Sequence, residues 1–476
     1  MTDGDAGRQS IILFGIHLTA RAVGFLGLVY FARVLPPEEL GAYFLFFTVV
    51  QLSSLMSNLG VTSAAVKRIS EGEDTDGVFS ASVTIATAAS VAVAVLVFVF
   101  RGYLADYIGL DVPVFIVVAV GLWLVADVLV RSLQGEDRVL TSGAVQLLQD
   151  VLRVGVGAVL ITLGYGAVGL IWGVIAGFAA TVVVAYPLLN VSLRIPLREH
   201  FSRIFSISRY TMFYGPTNLV YFWFDTLMIG LFLTRPDVSA YEVAWQTTRV
   251  MIIATYAINQ TVFPKISKHA TKGDTDEVSR LLSGAVLFTL FFPLPGLVGI
   301  AVLGEEILSV VYRPEYAVAA VPMTLLAGYM VVESIQRVVN STLVGLERPE
   351  LPFRSRMVGV TLALVLNAAL IPTVGLVGAA VATVVAKFVD TAIQWYYVAD
   401  VVELRIPKRS IAWETVSALI MGGVVYAVAR VLSPRRVPSL VAVVALGAVV
   451  YGVLVLLDED IRDVFSEYVP LPSVNQ

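Results

Sequence analysis

Residues 10–34, SIILFGIHLTARAVGFLGLVYFARV, and residues 40–66, LGAYFLFFTVVQLSSLMSNLGVTSAAV, are two apolar runs joined by the polar break Leu35-Pro36-Pro37-Glu38-Glu39. Each is long enough to cross a bilayer as a helix, which takes about 20 apolar residues. His17 and Arg21 stand in the middle of the first run, four residues apart and so on one helical face. A charge at the centre of a membrane helix costs about 2.5–3.5 kcal/mol on insertion scales. A polar cavity, a partner charge or a ligand has to offset that cost.

The rest of the chain continues in the same way. Of its 476 residues 58% are hydrophobic and 14% charged, with a mean hydropathy of +0.84, where a soluble protein carries roughly 25% charged residues. This is the composition of an all-α integral membrane protein. The first apolar run exceeds the length of a signal-peptide core and lacks a small-residue cleavage site, so it is expected to persist in the mature chain. Cysteine is absent, which excludes disulfides and thiolate metal sites. Runs bounded by Pro, Gly or charge give about fourteen expected spans. Six lie near 10–34, 40–66, 78–100, 113–133, 142–163 and 167–191. Eight more lie near 208–233, 240–263, 279–303, 317–343, 355–373, 375–400, 410–432 and 438–457. The expected domains are an N-terminal lobe (1–191), a basic cytoplasmic linker (192–209), a C-terminal lobe (210–400), and two additional helices with a tail (401–476).

Lys and Arg orient the chain. With the N-terminus inside, 20 of the 32 fall in cytoplasmic segments, 7 in the opposite loops (Arg33, Arg101, Arg235, Arg313, Arg430, Arg435, Arg436) and 5 within spans (Arg21, Arg153, Arg249, Arg337, Lys387). Both termini are therefore expected in the cytoplasm. An internal repeat is also visible. Leu133-Gln-Gly-Glu-Asp-Arg138 returns as Leu343-Val-Gly-Leu-Glu-Arg348, Gly166-Ala-Val-Gly169 as Gly375-Leu-Val-Gly378, and Ala42-Tyr43 as Ala240-Tyr241. The order is the same and the offsets similar, so helices 1–6 and 7–12 read as two copies of one six-helix unit. Six is even, so both copies face the same way, as in parallel-repeat transporters, whose substrate site lies between the halves.

Arg33-Val-Leu-Pro-Pro-Glu-Glu-Leu-Gly-Ala-Tyr43, Asn58-Leu-Gly60 and Lys67-Arg68 resemble the opening of the polysaccharide-transport (Wzx-type) flippases, members of the multidrug/oligosaccharidyl-lipid/polysaccharide (MOP) exporter superfamily. The resemblance continues through Leu133–Arg138, the basic segment, Asp225 with Ser239-Ala-Tyr241, Phe263-Pro-Lys-Ile-Ser267 and Gly375–Gly378, and so covers the chain in order. It implies a MOP/MATE-like fold that moves a lipid-linked oligosaccharide by alternating access. The glycan would ride on a polyprenyl or dolichyl (pyro)phosphate, from the cytoplasmic to the outer leaflet of the cell membrane. A non-enzymatic monomer is expected, alone or alongside glycan-assembly enzymes. Lipid II flippases and MATE exporters share this fold, so fold alone does not fix the cargo.

By the same resemblance Arg21 (helix 1) and Arg249 (helix 8) line the cavity and are assigned to the phosphate or pyrophosphate. Arginine suits the task, because its charge is permanent and its planar fork grips phosphate oxygens in pairs. His17, Gln51 and Asn58 in one lobe, and Asn218, Gln246, Asn259 and Gln260 in the other, are candidates to hydrogen-bond sugar hydroxyls. Tyr210, Tyr214, Tyr221, Trp223 and Trp245 are candidates to stack on sugar faces, with interfacial belts as the other account of them. Asp127 and Asp225 read as lone intramembrane carboxylates. They either bind Na⁺ or H⁺ to couple transport to an ion gradient or serve as counter-ions of Arg153 or Arg249. Asp150–Arg153, Glu333–Arg337 and Lys387–Asp390 are spaced to pair within their own helices.

Two competing readings are a MATE-type cation-coupled exporter and a membrane glycan polymerase or glycosyltransferase. The first expects a net acidic cavity, whereas the reading here counts Arg21 and Arg249 against Asp225. The second expects a large external loop or a metal-binding acidic motif, and no loop between spans exceeds about 20 residues, ordinary connector length. Gly164-Tyr-Gly-Ala-Val-Gly169 fits a dinucleotide fingerprint but follows no strand, and no P-loop sequence occurs. The triplets at Asn190, Asn259 and Asn340 fall inside the membrane or on its cytoplasmic side, where glycosylation is not expected. No metal ligand set, cofactor or nucleic-acid partner is expected; the partners are lipid-linked oligosaccharide and membrane lipid.

Overall fold

The computed structural model describes residues 3–58, 60–72, 74–211, 214–403, 406–432, 434–459 and 461–462; within these, the side chains of 3–8, 10, 56, 209–222, 253–254 and 256–262 stand outside the description. The described residues are helical throughout, without strands. The chain divides into two compact units, Met1–Ser239 and Ala240–Gln476.

The first unit holds α1 (Asp3–Val34), α2 (Pro37–Asn58), α3 (Val61–Ser70), α4 (Thr75–Val99), α5 (Arg101–Ile108), α6 (Pro113–Gly135), α7 (Val139–Thr162), α8 (Gly166–Ala185), α9 (Arg198–Thr211) and α10 (Tyr214–Phe232). α11 (Arg235–Thr248) begins in it and continues past the division. α1 lies along α7, α7 against α8, and α8 against α6, which also meets α3 and α4; α10 packs on α2. Pro37 opens α2, where a missing N–H costs nothing, and Glu38 and Glu39 complement the positive end of the helix.

The second unit holds α12 (Ile253–Ala270), α13 (Thr275–Leu290), α14 (Pro293–Glu306), α15 (Ala320–Gly345), α16 (Glu350–Val374), α17 (Leu376–Ala399), α18 (Lys408–Leu432) and α19 (Val437–Val455). α15 is its hub, touching α12, α13, α14 and α17; α16 packs on α17, α14 on α18 and α18 on α19.

Eleven helical stretches among the described residues are long and apolar enough to cross a membrane. The remaining three of the fourteen expected spans correspond to α2–α3, α10 and α11–α12, and each is interrupted or only partly described. The expected 40–66 run is two helices: Gly60 takes φ 77° and separates α2 from α3, a conformation open to glycine at little steric cost. The expected 240–263 run is also broken, by a 3₁₀ turn at Arg249–Ile252. The Pro-rich Phe292–Gly296 stretch breaks the ninth span into α13 and α14, with Pro293 opening the second piece.

The internal repeat is present in the backbone. At the end of α6, Arg138 N–H bonds Leu133 O at 2.9 Å; at the end of α15, Arg348 N–H bonds Leu343 O at 3.0 Å. Asp137 and Glu347 each take φ 60° in the position that usually belongs to glycine. The shared turn at Gly166 and Gly375 leads into matching close contacts. On α8, Gly169, Gly173 and Gly177 all face α7: a Cβ on Gly177 would come 2.8 Å from Gln149 O, and one on Gly173 would collide with Arg153 O. The α17 counterparts, 209 residues on, are Gly378, Ala382 and Ala386, all buried. Small residues every fourth position let helix backbones approach, which matters in lipid, where apolar side chains gain nothing by leaving the solvent.

Candidate functional site

Each unit builds a polar assembly from its own helices. In the first, α1 and α7 run parallel, with Leu13 beside Gly143 and Gly27 beside Val154. That register sets Arg21 level with Asp150 of α7, about one turn before Arg153. Arg21 and His17 are both exposed. Arg153 pairs with Asp150 at 3.0 Å, as their spacing predicts, and its guanidinium lies 5.8 Å from the centre of the Phe47 ring. Its Nε is buried and makes no hydrogen bond. Trp223 meets the other edge of Phe47 at 5.4 Å. Gln51 follows one turn later on α2, half-buried, and its Oε1 has no partner, nor do the hydroxyls of Thr48 and Ser54 on the same helix. These groups bring a guanidinium, an aromatic ring and unsatisfied polar atoms near one another along α2.

Asp127 is not lone. Arg131 lies 3.4 Å away, one turn along α6, and Asn58 donates to it at 3.0 Å. The counter-ion is therefore Arg131 of the same helix, and not Arg153. Asn58 also accepts the Thr62 N–H at 3.2 Å, so it fastens the start of α3 to α6 where a sugar ligand had been expected. Asp225 is buried on α10. Asn218, with Tyr210, Tyr214 and Tyr221, falls on side chains outside the described residues, as do Asn259 and Gln260.

The second unit joins two expected intrahelical pairs into one network. Glu333 binds Arg337 at 2.5 Å, and also takes Lys387 from α17. Gln336 bridges onward, accepting from Lys387 and donating to Asp390 at 2.5 Å; Gln394 donates to the other oxygen of Asp390 at 2.9 Å. The Lys387 ammonium lies 5.1 Å from the centre of the Tyr329 ring, which packs against Trp245 of α11 at 5.0 Å. Gln336 binds both Lys387 and Asp390 and so joins the two expected pairs. Arg249, half-buried, follows Trp245 by one turn and opens the 3₁₀ interruption. Gln246 donates to Glu242 at 3.3 Å. Glu242 is only 2% exposed and corrects the charge tally above: the α10–α12 segments carry two buried acids, not one.

Asp74, Glu199 and His200 come close enough to suggest a metal. The donors are already used. His200 Nδ1 accepts the Leu197 N–H at 2.8 Å, which leaves Nε2 as a donor to Asp74 at 2.5 Å, and Arg194 pairs with Asp74 as well. The cluster ties the basic segment to the α3–α4 turn. Sequence reasoning missed the orphaned Arg153 Nε, the Thr48–Gln51–Ser54 stripe and the glutamine bridge; spacing alone showed only like-helix pairs.

A model of the polysaccharide biosynthesis protein family matches residues 30–321. The chain is 29% identical over 459 residues to a probable low-salt glycan biosynthesis flippase, Agl15, of Haloferax volcanii, covering 96% of this chain and 97% of that one. It is 27% identical to the probable flippase AglR of the same organism, again over 96% and 97%. Among solved structures the lipid II flippase MurJ, in an inward closed conformation, superposes with a TM-score of 0.78 at 16% identity, over 96% of this chain and 100% of that one. An inward-facing MATE multidrug transporter gives 0.68 at 16% identity, over 82% and 98%. The chain belongs to the polysaccharide biosynthesis protein family, as a multi-pass membrane protein with the fold of the MurJ and MATE structures.

Proposed function

We propose that the chain moves a lipid-linked oligosaccharide from the cytoplasmic to the outer leaflet of the cell membrane by alternating access. The polyprenyl or dolichyl tail stays in lipid while the glycan and its phosphate or pyrophosphate cross. Arg21 and Arg249 take the phosphate, Arg153 extends the first of these sites, and Gln51, Gln246 and the aromatic faces of Trp223 and Trp245 take the sugars. The observation that carries this reading is the position of Arg21, exposed within a membrane span on the helix that packs along α7, where Arg153 Nε is buried without a hydrogen bond. Membership of a polysaccharide biosynthesis family and the full-length match to a probable glycan flippase support the cargo class. The excess of Lys and Arg in the cytoplasmic segments supports cytoplasmic termini.

Buried Asp225 and Glu242 favour a second reading, cation-coupled export of a small molecule, because they weaken the charge argument against it. Surface-glycan assembly in cells expressing Arg249→Ala, set beside drug-resistance assays of the same cells, separates the two. Lost glycan with unchanged resistance supports the flippase; intact glycan with lost resistance supports the exporter. Coupling to Na⁺ or H⁺ through Asp225 belongs to either reading.

A further inference from the structure

α18 buries a polar stripe that neither assembly above uses. Ser410, Glu414 and Ser417 follow one another at helical spacing on its buried face, each 0% exposed. Both carboxyl oxygens of Glu414 are enclosed without a hydrogen bond, as are the hydroxyls of Ser417 and of Tyr451 on α19. Tyr451 lies within electrostatic range of Glu414.

We propose that Glu414 is a proton-binding site, its carboxyl enclosed with the Ser417 and Tyr451 hydroxyls and reached by way of Asp458. A bare carboxylate there accepts no hydrogen bond and has no counter-ion, the costliest state for a charge removed from water. Uptake of one proton forms the O–H bond and neutralises the group. Nothing is oxidised and no co-reactant is needed.

The neighbours agree on every side. From α19 and the turn after it come Tyr451 and Asp458. From α13 and α14 come Leu287, Phe291, Leu294 and Val298, all apolar, in one cluster with Trp413 and Tyr451. Lys408 and Arg409, at the start of α18, are exposed. Asp458 is half-buried and accepts from Ser410 at 3.4 Å and from the Ile461 N–H at 3.1 Å. It stands at the end of α19, and Ser410 leads from it to Glu414 one turn along α18. A divalent metal takes six or more oxygens, and this pocket offers four.

Infrared difference spectra of the full chain in lipid nanodiscs at neutral pH test the site. The wild type should show the carbonyl stretch of a protonated carboxyl that Glu414→Gln abolishes. Tyr451→Phe should shift the same band, and it carries the test alone if Glu414→Gln fails to fold. Superimposable wild-type and Glu414→Gln spectra, or an unshifted band in Tyr451→Phe where Glu414→Gln cannot be prepared, would overturn the proposal. So would a band that disappears on adding sodium or magnesium, which would mark a metal site instead. The outcome is independent of which cargo the flippase carries.

Discussion

Lys387 sits 5% exposed inside a helix bundle and keeps its charge company with Glu333, Gln336 and the Tyr329 face. Breaking a buried pair by removing one partner costs about 3–5 kcal/mol, whereas replacing both by apolar or neutral groups is often nearly neutral. Lys387→Met should therefore lower thermal stability sharply, and the double variant with Glu333→Gln should recover most of the loss. A double variant no better than the single one would show that the network does not act as a unit. Asn58 makes a smaller claim at the same scale. As a cap it should be worth about 1 kcal/mol, so Asn58→Ala should loosen α3 in hydrogen exchange while leaving α6 protected. Asp127–Arg131 stands at the same four-residue spacing as Glu333–Arg337 and was legible in the sequence, whereas Glu333–Lys387 depends on which helices meet, which a linear pattern does not carry.

The α7–α8 contact rests on glycines whose missing side chains are the contact. A Cβ at Gly173 would meet backbone, which cannot swing aside, and overpacking of this kind costs about 1–3 kcal/mol. Gly173→Ala should destabilise measurably by thermal unfolding, whereas Gly155→Ala, with open space around it, should not. The matched caps make the opposite prediction. Asp137 and Glu347 hold a left-handed backbone that costs an L-residue roughly 1–2 kcal/mol, so Asp137→Gly and Glu347→Gly should each raise the unfolding temperature. In the turn before α13, the His269 ring at 3.1 Å and the Glu277 N–H hold the Asp274 carboxyl below its ordinary value. Its contribution to stability is complete above the ordinary carboxylate range and is lost as pH falls through the lowered value; Asp274→Asn should flatten that acid limb of the stability profile. The repeat that joins these elements was legible because its turns use the same residues 209 or 210 positions apart. The breaks at Gly60 and Arg249 were not, since hydropathy runs straight through both.

At the scale of the molecule, composition and run length were enough for an all-helical membrane protein, and the order of degenerate motifs was enough for a polysaccharide-biosynthesis family. The account of transport rests on Arg21, a permanent charge with a lipid-linked anion as its proposed partner. Charge-assisted hydrogen bonds are worth about 1.5–3 kcal/mol, a loss of roughly 10- to 150-fold in rate if they are made at the barrier. The decisive measurement is flipping of a fluorescent polyprenyl-phosphate-linked oligosaccharide in proteoliposomes holding wild type, Arg21→Lys or Arg21→Ala. The account predicts rapid flipping by the wild type, a partial rate with lysine, and a loss of at least about tenfold with alanine. Wild-type rates in Arg21→Ala, or no flipping by the wild type above empty liposomes, would contradict it.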